Sequence, residues 1–178
     1  MKRLPLKTMF VAVALSGALF TSCSDKKDTA VTTDTTAETT AAPEAAVEDE
    51  AAKQDTIKIT LNANDKMQFD QTELNVYAGQ TVELTLNHTG TMPKEAMGHN
   101  FTLLANGTDM AKFGEEAAKN KENDYLPTDM SSVLAHTDLI GGGESTTITF
   151  AAPEKGTYDF LCSFPGHYSI MKGKFNVK

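Results

Sequence analysis

The chain has 178 residues, a formal net charge of −8, two cysteines and no tryptophan. Its only arginine, Arg3, lies in the first few residues of the chain. A chain with so little arginine and a net negative charge is a poor partner for nucleic acid or phosphate groups, whose recognition relies on arginine forks and counterion release.

Residues 1–22 open with Lys2, Arg3 and Lys7, continue as an apolar run from Met9 to Phe20, and end in Thr21-Ser22. The run is short for a membrane span and reads as a signal peptide. A small residue before Cys23 resembles the cleavage site of bacterial lipoproteins, although Phe20 stands where leucine is more usual. Cys23 is therefore expected to carry lipid. The other outcome, an odd thiol in an oxidising compartment, is a liability. The expected location is the bacterial cell envelope, with the protein exported, lipid-anchored, and facing the periplasm or the exterior.

Residues 23–55 read as a disordered acidic tether rich in Thr and Ala. From Ser24 to Asp55 there is no aromatic residue and only Val31 and Val47 as aliphatics. Such a segment buries too little apolar surface to offset its ordering entropy. As flexible chain it would reach about 30 Å. Removal of residues 1–22 takes the net charge to −11, of which −6 falls on residues 24–55 and −5 on residues 56–178.

Residues 56–178 are long enough for one domain around one core. Apolar residues alternate at Ile57, Ile59 and Leu61, at Val82, Leu84 and Leu86, at Ile148 and Phe150, and at Tyr158, Phe160 and Cys162. His99 to Leu104 reads as another strand, and Met171, Phe175 and Val177 as the last, with Gly173 between them. Turn residues at Ala78-Gly79-Gln80, Gly141-Gly142-Gly143 and Pro153 to Gly156 separate the runs. This pattern predicts an all-β antiparallel sandwich. The exception lies within residues 107–132, where Asp109 to Lys119 predicts a helical insertion.

The most informative segment is Cys162-Ser-Phe-Pro-Gly-His167-Tyr-Ser-Ile-Met171. A thiolate suits Cu(I), imidazole suits either copper oxidation state, and a thioether makes a weak axial ligand. A trigonal copper site needs a second histidine, and His99, preceded by Gly98, is the candidate. Taken alone, Cys162 is most simply a buried structural thiol. With Cys23 lipidated it has no disulfide partner, and no second cysteine exists for a dinuclear centre or a cysteine-rich zinc site. A Cys-His nucleophile pair would need an oxyanion hole and an orienting third group, and nothing in the sequence signals either. His88 and His136 read as non-ligands.

Four motifs in order resemble one family: Asn64 to Phe69, His88 to Asn100, Val133 to Glu144, and Phe160 to His167 continuing through Met171. In these the chain resembles the azurins and the related lipid-anchored auracyanins, small blue copper proteins of the cupredoxin family. The resemblance spans about residues 56–178. It implies a Greek-key sandwich of about eight strands, with the insertion as a helical flap. It also implies one type 1 copper held by His99, Cys162 and His167, with Met171 and the Gly98 carbonyl as axial ligands. Backbone N–H groups of Asn100 and Phe164 would donate to the Cys162 sulfur, and the Asn100 side chain would tie the ligand loops together.

Met67, Met92, Ala96, Met97, Met110, Phe164, Pro165 and Gly166 map onto the apolar docking rim of the family, and His88 onto a histidine whose protonation couples to redox state. For Met110, core packing is an equal alternative. Two departures stand out. The sequence lacks the cysteines of the usual azurin disulfide, and Phe101 stands where a tryptophan is common.

The implied function is electron transfer, not catalysis. The partners would be respiratory redox proteins such as c-type cytochromes or a terminal reductase or oxidase. The protein would be monomeric or weakly associating. The alternative is copper sequestration or delivery, which exposed Met-rich or His-rich tracts would favour. The tether has neither.

Overall fold

The computed structural model describes residues 54–178. The expected signal peptide, Cys23 and the tether up to residue 53 lie outside the described residues. Gln54 and Asp55, the last two tether residues, already bond to the domain. The Gln54 carbonyl accepts from the Gln80 side chain at 2.8 Å, and the Asp55 carbonyl from the Thr81 N–H at 2.8 Å.

Nine strands form two sheets among these residues. The first sheet contains β1 (Thr56–Asn64), β2 (Gln68–Phe69), β4 (Thr81–His88) and β7 (Ser145–Ala151), in the order β2-β1-β4-β7. The second contains β3 (Glu73–Val76), β5 (Thr102–Leu104), β6 (Val133–His136), β8 (Gly156–Leu161) and β9 (Lys172–Val177), in the order β3-β9-β8-β5-β6. The β1–β4 and β3–β9 pairs are parallel and the rest antiparallel. The expected all-β sandwich with a helical insertion is what the chain forms.

Period-two patterning puts one side of each strand inward. On β4, Val82, Leu84, Leu86 and His88 are buried and the residues between them are not. The facing sheet contributes Leu74, Val76, Leu103, Phe160, Phe175 and Val177. Phe101 sits at the centre, fully buried, with ring centroids 5.4 Å from Phe160 and 6.5 Å from Phe150. Phe150 lies 6.0 Å from Phe175, and Phe160 5.7 Å from Phe69. These interlocked rings supply packing in a domain with no disulfide among the described residues.

The insertion contains α2 (Met110–Ala117), and the short α1 (Lys94–Met97) precedes β5. The Asp109 carboxylate accepts the N–H groups of Ala111 at 3.0 Å and Lys112 at 3.1 Å, which caps α2. Phe113 and Ala117, one turn apart, pack with Leu104 and Leu161 in a second cluster joined by Met110, Val133 and Tyr168. Met110 therefore serves the packing of the insertion. The sequence reading passed over β2, β3, β6 and α1. Leu74 and Val76 carry the alternation that marks β3, but on only four residues.

Candidate metal centre

The site lies at one end of the sandwich, where β1, β4 and β8 finish and β9 begins. His99 sits just ahead of β5 and is clamped before the strand starts. Its N–H donates to the Ile140 carbonyl at 3.0 Å, and the Ile140 N–H returns to the His99 carbonyl at 2.9 Å. The residue before it has to be glycine. A Cβ on Gly98 would lie 2.6 Å from the Lys94 carbonyl oxygen and 2.9 Å from a Leu139 methyl.

The other ligand loop follows β8. The Cys162 N–H donates to the Met171 carbonyl at 2.9 Å, which closes the loop on itself. Within it the His167 N–H donates to the Phe164 carbonyl at 3.0 Å, and Gly166 has φ +83°. Pro165 followed by a positive-φ glycine is the chemistry of a type II turn. That turn brings His167 back towards the sulfur. The Met171 N–H donates to the His167 carbonyl at 2.8 Å, so the buried Met171 is carried by the same compact loop.

These two loops bring the predicted donors together. Cys162 Sγ lies 3.8 Å from His99 Nδ1, 3.6 Å from His167 Nδ1 and 3.9 Å from the Gly98 carbonyl oxygen. One donor atom from each of His99, Cys162 and His167 lies within 4.8 Å of the others, and all three residues are buried. The spacing can be tested against a metal. Bonds of about 2.3 Å to sulfur and about 2.0 Å to nitrogen, typical of zinc and taken here at 120°, separate sulfur from nitrogen by about 3.7 Å. Both sulfur–nitrogen separations fit bonds of this length to one metal.

The protonation states agree. His99 Nε2 faces the Asn64 carbonyl at 2.9 Å, and only a protonated Nε2 can bond to it, which leaves the Nδ1 lone pair aimed at the sulfur. Burial pushes both ligand histidines down to about 4, so both rings are neutral near pH 7. Burial pushes the Cys162 thiol up to about 12, with the backbone N–H groups of Asn100 and Phe164 acting the other way. A thiol this strongly shifted ionises near neutrality only with a cation beside it. Soft sulfur, two imidazoles and a thioether nearby fit a single type 1 copper.

These shifts set the pH response of the metal-free domain. Both histidines have folded values below the ordinary 6.5, so the unfolded chain takes up protons first as pH falls. Stability is fully present above about 6.5 and is lost as pH drops towards about 4. Urea midpoints of the metal-free protein at pH 7.5 and pH 4.5 should differ clearly, and equal midpoints would contradict this burial.

Asn100, fully buried, joins the two loops. Its Oδ1 accepts the Ser163 N–H at 2.8 Å, and its Nδ2 donates to Ser163 Oγ at 2.8 Å and to the Asp124 carbonyl at 3.3 Å. His88 is buried, and its ring stacks on His99 with centroids 4.5 Å apart. Its Nδ1 accepts the Gly90 N–H at 3.0 Å and its Nε2 faces the Met97 carbonyl at 2.9 Å. His136 is exposed on β6.

Of the expected rim, Met92 is 37% exposed, Ala96 and Gly166 are exposed, and Met67, Met97 and Pro165 are half-buried. Phe164 is 8% and His167 3% exposed. The rings of Phe164 and His167 lie 4.7 Å apart, and Tyr125 meets Phe164 edge-on at 5.0 Å. Sequence reasoning missed Asn64, Ser163 and Tyr125. The first acts through its backbone and the last comes from a distant insertion, so neither leaves a local signal.

Comparison with known proteins gives a consistent result. Residues 55–178 match the profile described as copper binding proteins, plastocyanin/azurin family. Outer membrane protein H.8 of Neisseria gonorrhoeae is 40% identical over 121 residues, which span 66% of this chain and 66% of that protein. The azurin of Alcaligenes faecalis is 41% identical over 124 residues, 67% of this chain and 96% of the azurin. The crystal structure of reduced auracyanin from Roseiflexus castenholzii superposes with a TM-score of 0.62 at 38% identity, covering 68% of this chain and 96% of that one.

Proposed function

The chain belongs to the plastocyanin/azurin family of copper-binding proteins, and from that membership we propose that it is a blue copper carrier of single electrons between respiratory redox partners. The observation that carries the reading is the buried set of His99, Cys162 and His167 donors within 4.8 Å of one another. Bound copper would supply the one-electron Cu(II)/Cu(I) couple. His99 Nδ1, Cys162 Sγ and His167 Nδ1 would hold the copper, with Met171 and the Gly98 carbonyl as weaker ligands.

The protein's own contribution is rigidity and dryness. The Ile140 pairing holds His99, the Pro165-Gly166 turn holds His167, and Asn100 fixes one loop against the other. Little has to move when the charge changes. The N–H groups of Asn100 and Phe164 would temper the electron density on sulfur. The buried site, closed by two loops, offers a substrate no room, which supports a carrier and not an enzyme.

Electrons would pass at the rim formed by Met67, Met92, Ala96, Met97, Phe164, Pro165 and Gly166, beside His167. Met110, packed in the insertion, is left out of this surface. An apolar, methionine-rich rim adapts to more than one partner and releases it quickly. Partners of the proposed kind are c-type cytochromes or a terminal reductase or oxidase. The name of the Neisseria relative puts that protein at an outer membrane, which supports an exported envelope protein here. Lipidation at Cys23 would anchor it. A labelled fatty acid should mark the wild type and not Cys23→Ala.

The test of the main reading is Cu(II) addition to the purified domain, followed by a visible spectrum and a redox titration. An intense thiolate-to-copper band and reversible one-electron cycling are expected. A colourless protein that takes up Cu(I) and does not cycle overturns the carrier and points to sequestration or delivery.

A further inference from the structure

The β1–β2 turn, Asn64 to Met67, touches the metal centre from outside both ligand loops. Its Asn64 carbonyl accepts the Nε2 proton of His99 at 2.9 Å. The next residue, Asp65, reaches across to the loop that follows β4. Its carboxylate accepts the Thr91 N–H at 2.9 Å, the Met92 N–H at 3.3 Å and the Thr91 hydroxyl at 3.5 Å. The same loop supplies the Gly90 N–H that holds His88, whose ring stacks on His99. A Cβ on Gly90 would collide with the Asp65 carboxylate, so the loop is shaped around it.

We propose that Asp65 is a positioning residue for His99, holding at once the acceptor of the ring's outer nitrogen and the ring that stacks on its face. The proposal rests on the reading of His99 as a copper ligand, but the contacts it names exist in the metal-free chain. One carboxylate joins the turn that carries Asn64 to the loop that carries Gly90. The turn is otherwise tied by the two-pair β1–β2 pairing, by Thr89, whose N–H and hydroxyl both donate to the Ala63 carbonyl just before the turn, and by local bonds such as Met67 N–H to the Asn64 carbonyl; Asp65 adds a tie from inside the turn. Met67 at φ +55° adds strain that the tie helps to contain. Loss of the tie frees the Asn64 carbonyl to move, and with it the tautomer and tilt of His99. Lys66 and Gln68, the exposed neighbours, make no such bridge: the Lys66 N–H bonds back to Asn64 Oδ1 at 2.9 Å, within the turn.

The experiment compares wild type, Asp65→Ala and Asp65→Asn. The first readout is solvent exchange of the His99 Nε2 proton, followed by NMR on the metal-free domain. In Asp65→Ala that exchange should be about tenfold faster or more, while amide protection in β4 and β9 stays as in wild type. Asp65→Asn keeps one acceptor oxygen and loses the charge, so it should restore much of the protection. The second readout is the reduction potential of the copper-loaded proteins. Asp65→Ala should shift it beyond Asp65→Asn, because removal of charge is common to both. Exchange in Asp65→Ala within about twofold of wild type overturns the proposal, as does equal exchange in the two variants. A domain that fails to bind copper would sink the carrier reading alone, since the exchange measurement needs no metal.

Discussion

Cys162→Ser should give a folded protein with no intense visible band after copper addition. The colour of such a centre comes from charge transfer between a thiolate and copper, and Cys162 is the only cysteine among the described residues. Serine keeps the size of the side chain nearly constant but exchanges a soft, ionisable donor for a hard hydroxyl that stays protonated. Copper affinity should fall by more than the roughly 10–100-fold that changes to outer hydrogen bonds produce, because a direct ligand is lost.

The fold should tolerate the change. Cys162 lies beyond the end of β8, its backbone N–H bonds to the Met171 carbonyl whatever the side chain, and serine is close to cysteine in size. The expected destabilisation is about 1 kcal/mol. Circular dichroism should match wild type while the visible spectrum goes blank. A blue Cys162→Ser protein would mean that the donor set is wrong, and an unfolded one that the sulfur serves packing first.

The same residues show what a sequence discloses. Strand alternation on β4 and β8 is visible because one face of each strand is buried along its length. The loop from Cys162 to Met171 is visible because its donors are adjacent in the chain and Pro165-Gly166 dictates a turn. His99 could be chosen from four histidines because Gly98 precedes it, and the Cβ clash with Lys94 and Leu139 gives the physical reason. What stayed hidden depends on approach in space. Asn64 offers a carbonyl, which every residue has, and only the fold decides that this one meets His99. Met110 occupies a helical position that is apolar in either role, and only the cluster around Phe113 shows that it packs, half-buried, against the insertion. His88 stacks on a ligand through strand register, since Ala63 pairs with His88 at the matching ends of β1 and β4.

Asn100→Ala should be the most damaging polar substitution around the centre. The side chain is fully buried and spans the two ligand loops, so its loss leaves buried partners at Ser163 that water cannot reach. The Ser163 N–H loses its 2.8 Å acceptor, and the Ser163 hydroxyl and the Asp124 carbonyl each lose a donor. A buried group left unsatisfied costs about 1–3 kcal/mol, and serine can rotate to recover part of this, so a total of about 2–4 kcal/mol is expected. For a domain of this size that lowers Tm by about 10 °C.

The effect on the centre is separable from the effect on stability. Asn100 keeps the His99 side of the site at a fixed distance from the Cys162 side, and the backbone N–H groups of Asn100 and Phe164 both act on the sulfur. When the side-chain tie is cut, those donors are no longer held, and the reduction potential should move even at temperatures where the variant is folded. Asn100→Ser, with one hydroxyl to offer the Ser163 N–H, should fall between wild type and Asn100→Ala in both Tm and potential. If Asn100→Ala melts with wild type, the network is not holding the loops. If it melts early with an unchanged potential, the network holds the fold and leaves the sulfur alone.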